Sequence, residues 1–188
     1  KGWLPSGFVG VDVFFVISGF VVTASILAGG YGDGWSGILE FWRRRILRII
    51  PALVVFVAVT SVLFAAFFAV TTRIQFAGTL NTGLTSLAGL SNLYLIRIAH
   101  DYFQADLSTN LFTHTWSLGV EEQFYLIFAP LAFALAAPRM QGVLSRFSVT
   151  LGVLALLSLG LFLWQAGTAP VATYYGLHTR LWELGVGA

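Results

Sequence analysis

From Phe8 to Leu27 the chain stays apolar, with Asp12 as its one charge. That is about 20 residues, enough helix to cross a hydrocarbon core at roughly 1.5 Å per residue. A segment facing lipid must satisfy every backbone donor and acceptor within itself, which makes helix the form it takes. The pattern returns after Pro51, a residue suited to the first turn of a helix reaching Val70, and again from Ser148 to Trp164. Only 10% of residues are charged and 57% are hydrophobic, against about 25% charged in soluble domains. Mean hydropathy is +0.85. The chain therefore reads as all-α, a polytopic transmembrane helical bundle of about five to six membrane segments.

Arginine placement orients it. Glu40 to Arg48 reads as a short basic amphipathic helix with Phe41 and Trp42 at the interface, and Arg43, Arg44, Arg45 and Arg48 mark the cytoplasmic side. A glycine-rich loop over residues 29–34 links it to the first span, so the Asp12 end faces the extracytoplasmic side. Residues Gly78 to Ile96 form the weakest span. Asn81, Thr82, Thr85, Ser86, Ser91 and Asn92 suit a segment packed inside the bundle or partly re-entrant, and the two options place Arg139 and Arg146 on opposite sides. Residues 99–113 read as a polar loop carrying His100, Asp101 and Asp106, and Tyr174 to Leu184 leads into a final helix.

Several chemistries drop out. Without cysteine there are no disulfides, thiolate nucleophiles or cysteine metal sites. His100, His114 and His178 are scattered, and no metal signature, phosphate-binding glycine loop or Ser-His-Asp order emerges. A formal charge of +2 is too small to argue for nucleic acid. Lys1-Gly2-Trp3-Leu4-Pro5 is not the start of a signal peptide. With no initiator Met and an end at Gly187-Ala188 in an apolar segment, the chain is expected to be an internal piece of a longer protein.

Chemistry is expected first in Thr113 to Leu126, which opens an apolar run reaching Ala137. A charge at membrane depth costs roughly 3 kcal/mol on insertion scales, so it is rare unless it works or is paired. Glu121 and Glu122 stand side by side there. At helical spacing Ser117, Glu121 and Tyr125 share one face, while Glu122 points about 100° away and needs its own partner. Glu121 reads as a buried acid/base or as an acceptor orienting a hydroxyl. The alternative is a structural carboxylate paired with arginine or favoured by the helix start.

Asp12 has the same two readings at a shallower depth, an ion pair being the rival. The arginine cluster could serve topology and anionic headgroups, or bind a phosphorylated ligand. Ser18-Gly19-Phe20 could make a tight helix–helix contact. His114 is interfacial or a base. Arg180 and Glu183, three apart, can pair with each other; His100 and His178 are expected in surface or loop roles.

Four motifs in order resemble the acyltransferase 3 family of bacterial multi-pass membrane enzymes, which O-acylate sugars of lipopolysaccharide, peptidoglycan and other glycans. They are Gly7-Phe8-Val9-Gly10-Val11-Asp12-Val13-Phe14-Phe15-Val16-Ile17-Ser18-Gly19-Phe20, Phe41 to Ala52 with its Arg45–Arg48 pair, His114 to Tyr125, and Thr179-Arg180-Leu181-Trp182-Glu183-Leu184. The resemblance implies a cytoplasmic acyl-CoA donor, commonly acetyl-CoA, and a glycan acceptor outside, in a protein of the bacterial inner membrane. It assigns Arg44, Arg45 and Arg48 to the donor, and makes Glu121 and Asp12 the candidate catalytic carboxylates. Ser18, Gly19, Phe20, Trp116, Ser117, Tyr125, Arg180 and Glu183 become candidates for the substrate path. The family's histidine and its preceding arginine belong to a helix ahead of the glycine-rich start. Residues 1–188 are thus expected to be a partial transmembrane domain lacking the first and the C-terminal helices, inactive in isolation. A proton-coupled transporter or flippase is the rival class, since intramembrane carboxylates also relay protons; a sensor or structural protein is a third.

Overall fold

The computed structural model describes residues 8–31, 34–67, 73–100, 110–136 and 144–188. These are helical throughout their regular parts: α1 (Phe8–Leu27), α2 (Gly34–Phe67), α3 (Arg73–Leu87), α4 (Ser91–His100), a single 3-10 turn at Thr113–Thr115, α5 (Trp116–Ala136), α6 (Leu144–Gln165), α7 (Pro170–Tyr175) and α8 (Leu177–Gly187). Among the described residues three helices are long and apolar enough to cross a membrane, within α1, α2 and α6. The protein is an all-α membrane protein. At 21 residues α5 has the length of a crossing, but Glu121, Glu122 and Gln123 fall in its first turns.

The chain divides into two compact units, residues 1–41 with 123–188, and residues 42–122. In the first, α8 packs against α1 and α6. Phe15, Ser18, Val22 and Ile26 form the buried stripe of α1, spaced as one helix face requires. Val9, Val13, Phe20 and Val21 lie exposed on the remaining surface, an apolar face suited to lipid. The hydroxyls of Thr23 and Ser25 bond back to the carbonyls of Gly19 and Val22 at 2.9 and 2.8 Å, so each finds its acceptor within the helix. Ser158 of α6 links to α8 twice: its hydroxyl donates to the His178 carbonyl at 2.8 Å and accepts from the Trp182 amide at 3.2 Å. Edge-to-face aromatic pairs join Tyr31, Phe41 and Phe133, with Tyr125 against Phe41.

In the second unit Leu53, Val57 and Phe112 form a core with Leu87 and Leu118 against it. Asn110 organises the chain before α5: its amide donates to the Thr82 hydroxyl at 2.7 Å, and its carbonyl oxygen accepts from the Phe112 amide at 3.0 Å. Ser91 at the start of α4 donates to the Thr115 carbonyl at 2.8 Å.

Two sequence expectations are corrected, and an open one is narrowed. The basic stretch and the span after Pro51 are not two helices; α2 is continuous over 34 residues with Pro51 inside it. Its length, about 51 Å, exceeds a hydrocarbon core of roughly 30 Å, so the basic turns can lie beyond the apolar part. An interior proline loses one backbone bond and crowds the carbonyl four residues earlier. A break at lipid depth would strand more backbone groups, so the helix runs on.

Gly78 to Ile96, open in sequence between a packed span and a partly re-entrant segment, is divided between two helices. Gly89, at φ +68°, ends α3 in the left-handed conformation that suits glycine. The Leu90 amide bonds back to the Thr85 carbonyl at 2.9 Å, and α4 starts afresh. At 15 and 10 residues, α3 and α4 are each too short to cross.

The helix expected from Thr113 starts at Trp116, after the 3-10 turn. Asp101, Asp106 and Arg139 lie outside the described residues, and Arg146 falls in the first turn of α6.

Candidate active site

The sequence candidates separate into one cluster in each unit. In the first, Asp12 stands one turn into α1, while Arg180 and Glu183 share one face of α8. What brings them together is the close approach of the two helices. A Cβ on Gly19 would collide with the Leu184 carbonyl, and one on Gly187 with the Val16 carbonyl. Small residues let the backbones meet, as membrane helices require. Gly19 thus acts as the contact that Ser18-Gly19-Phe20 suggested.

Arg180 Nη1 donates to Asp12 Oδ1 at 2.8 Å and to Glu183 Oε1. The arginine side chain is 4% exposed and that of Glu183 0%, whereas the Asp12 side chain is 36% exposed. Glu183 Oε2 is buried without a hydrogen-bond partner. Two carboxylates therefore share one guanidinium, leaving Asp12 as the member open to a ligand.

Arg180 is held from further sides. Its Nε donates to the Tyr174 carbonyl at 3.2 Å, and its guanidinium lies 5.1 Å from the Tyr174 ring centroid and 5.4 Å from that of Phe162. Such contacts favour the cation. Burial pushes the Tyr174 phenol above its ordinary value, with the Arg180 charge opposing, so the group stays a hydroxyl donor. A cavity of about 280 Å³ opens beside this cluster, lined by Asp12, Phe162, Thr173, Tyr174 and Arg180 among others.

Two further path candidates meet in this unit: the Tyr125 hydroxyl approaches the Ser18 carbonyl at 3.4 Å, and both residues are buried. Phe20 goes elsewhere, 63% exposed on the outer face of α1. His178 is exposed at the start of α8, with Nε2 3.0 Å from Gln165 Oε1.

The second cluster joins α2 and the start of α5. Arg45 Nη1 lies 3.5 Å from Glu122 Oε1, so Glu122 does have the partner it needed, and that partner is a donor-site candidate. Arg44 and Arg48, on neighbouring turns of α2, are exposed. Glu121 and Trp116 are buried, at 8% and 4% exposure. Ser117 turns its hydroxyl back to the His114 carbonyl at 3.3 Å, and His114 is exposed. Among the described residues no three His, Asp or Glu side chains form a metal-ligand group.

A family model described as an acyltransferase domain matches residues 2–188. The chain belongs to the acyltransferase 3 family. It is similar to O-acetyltransferase OatA of Staphylococcus aureus, with 35% identity over 188 residues, covering 98% of this chain and 30% of the relative. The putative peptidoglycan O-acetyltransferase YrhL of Bacillus subtilis is 35% identical, with 98% and 28% covered. Peptidoglycan O-acetyltransferase OatA of Listeria monocytogenes is 33% identical over 183 residues, with 97% and 29% covered. The chain thus spans less than a third of the length of these relatives. No solved structure matches it.

For this acyltransferase chain, sequence reasoning missed Phe162, Thr173 and Tyr174 as neighbours of the charged cluster. The one local signal was a pair of tyrosines just ahead of Arg180. Phe162 carried none, since one more aromatic in an apolar helix is indistinguishable from a lipid-facing one.

Proposed function

We propose that the protein is the membrane part of a multi-pass O-acetyltransferase of the bacterial cytoplasmic membrane, moving acetyl from cytoplasmic acetyl-CoA to a hydroxyl of extracytoplasmic peptidoglycan. The carrying observation is the match, over 97% and 98% of this chain, to proteins named as peptidoglycan O-acetyltransferases. That acceptor is favoured over lipopolysaccharide for the same reason.

The geometry supports the division of labour. Arg44, Arg45 and Arg48 lie within two turns of α2, and guanidinium groups match the phosphate oxygens of a CoA donor. Arg45 would exchange Glu122 for phosphate. Glu121 is a buried carboxylate on the helix leading from this arginine unit, suited to orient or deprotonate a hydroxyl. Ser18 and Tyr125, which meet in the first unit, would shape the acyl path. In the overall transfer the acceptor oxygen bonds to the acetyl carbon as the thioester C–S bond breaks. The hydroxyl proton ends on the CoA thiol.

The test is transfer of radiolabel from acetyl-CoA to glycan in membranes carrying the full-length protein. Glu121→Gln should lower the rate by about 10²–10⁴-fold. Arg45→Ala and Arg48→Ala should each raise the KM for acetyl-CoA by about tenfold or more, as expected for a lost charged hydrogen bond. No label from correctly inserted wild-type protein, together with proton-dependent glycan flux, would overturn the reading in favour of a transporter.

A further inference from the structure

The cavity beside Asp12 lies where α1 begins, α6 ends and α7 starts, so it opens at the ends of these helices rather than at their middles. Its walls are mostly apolar and aromatic, with Phe162, Ala166, Pro170 and Tyr174 contributing. Polar groups are few and directed. The Asp12 carboxylate is 36% exposed, Arg180 holds it through Oδ1, and the Thr173 and Tyr174 side chains complete the rim. Ligand sites have this composition, and about 280 Å³ falls near the lower end of their usual range of roughly 300–1,000 Å³.

The charges beside the cavity select among ligands. Arg180 carries one positive charge and lies between Asp12 and Glu183. Burial pushes the Glu183 carboxyl up to about 7, with the Arg180 charge opposing, so the cluster runs from neutral towards net negative as pH rises through that value. Arg180 is also spoken for, by two carboxylates, a backbone carbonyl and two aromatic rings. An anion entering the cavity would meet the open side of Asp12 rather than an available cation. A hydroxyl donor would find an acceptor there. A purely hydrocarbon ligand would strand that carboxylate away from water, which is costly.

We infer that this cavity is the acceptor subsite, holding one uncharged pyranose ring with a ring hydroxyl donating to Asp12 and its apolar face against Phe162 and Tyr174. The inference rests on the O-acetyltransferase reading and adds to it where and how the sugar binds. Arg180 is the positioning residue, holding Asp12 at the cavity wall. Selection against anionic rings, such as uronic acids, follows from the Asp12 carboxylate at the cavity wall and from an Arg180 already held by two carboxyl groups.

The experiment measures acetyl transfer to chitotetraose, a neutral oligosaccharide, in membranes carrying the full-length protein. KM for saccharide and for acetyl-CoA are determined separately, beside equilibrium binding of labelled chitotetraose. Ala166→Phe fills the cavity and leaves the charged cluster intact. It should raise the saccharide KM and the dissociation constant by about tenfold or more while the acetyl-CoA KM stays unchanged. Asp12→Asn keeps an acceptor oxygen for Arg180 but loses the charge, and should weaken saccharide binding while relaxing the preference against an oligomer of uronic acid. Saccharide KM and binding unchanged in Ala166→Phe would overturn the inference with the transferase reading intact, as would a rise confined to the acetyl-CoA KM. Absence of transfer by the wild type, with chitotetraose still bound and displaced by Ala166→Phe, would instead remove the transferase reading and leave the sugar site standing.

Discussion

Arg180→Ala is expected to destabilise the first unit by about 3–5 kcal/mol, the range found when one member of a buried ion pair is removed. The mutation would leave Glu183, 0% exposed, as a buried carboxylate with neither oxygen paired to a cation. It would also free the Tyr174 carbonyl and open a gap between the Phe162 and Tyr174 rings. The cost is that of a buried carboxyl forced to take up a proton and left unpaired, more than that of the lost contact. Hence Arg180→Leu combined with Glu183→Leu should recover most of the stability, since a well-packed apolar pair replaces a buried ion pair with little loss. Thermal unfolding of the detergent-solubilised protein reads this directly. A single mutant as stable as wild type would show that the buried cluster does not carry the α1–α8 contact. The double mutant should remain inactive in glycan acetylation even when folded, because Asp12 then lacks the group that holds it.

The second large effect is expected at Gly19. A Cβ there would overlap the Leu184 carbonyl, which belongs to backbone and cannot rotate aside. Gly19→Val must therefore push α8 away from α1, and Gly187 meets the mirror restriction against the Val16 carbonyl. Overpacking a core costs about 1–3 kcal/mol, occasionally more where no side chain can yield. Separation of the helices would also part Asp12 from Arg180, so the cost includes the ion pair. The expected outcome is loss of the folded protein in a thermal-shift assay. Gly10→Val is the control: nothing lies within 4 Å of a Cβ at Gly10, and that variant should unfold as wild type does. Equal damage from both substitutions would place the effect in helix propensity rather than in the interhelical contact.

Hydropathy and spacing alone determined much here. Apolar runs with one or no charge can only be membrane helices, because lipid offers the backbone no partner. Motif order named the family, and the chemical types of Asp12, Glu121 and the arginines marked them as candidates before any fold was known. The 3.6-residue period also placed Arg180 beside Glu183, since local neighbours on a helix are set by geometry.

Only the tertiary structure decided which distant groups meet. Asp12 and Arg180 lie 168 residues apart, and no local pattern signals their contact. It exists because Gly19 and Gly187 let two backbones touch. The pairing of Glu122 with Arg45 likewise depends on how the first turns of α5 lie against α2. Helix continuity through Pro51 ran against a local signal for a related reason. A proline within apolar sequence is ambiguous between a first turn and an interior position until the neighbouring backbone's hydrogen bonds are known. Sequence sets what each residue can do; packing, through a few glycines, sets what it does it with.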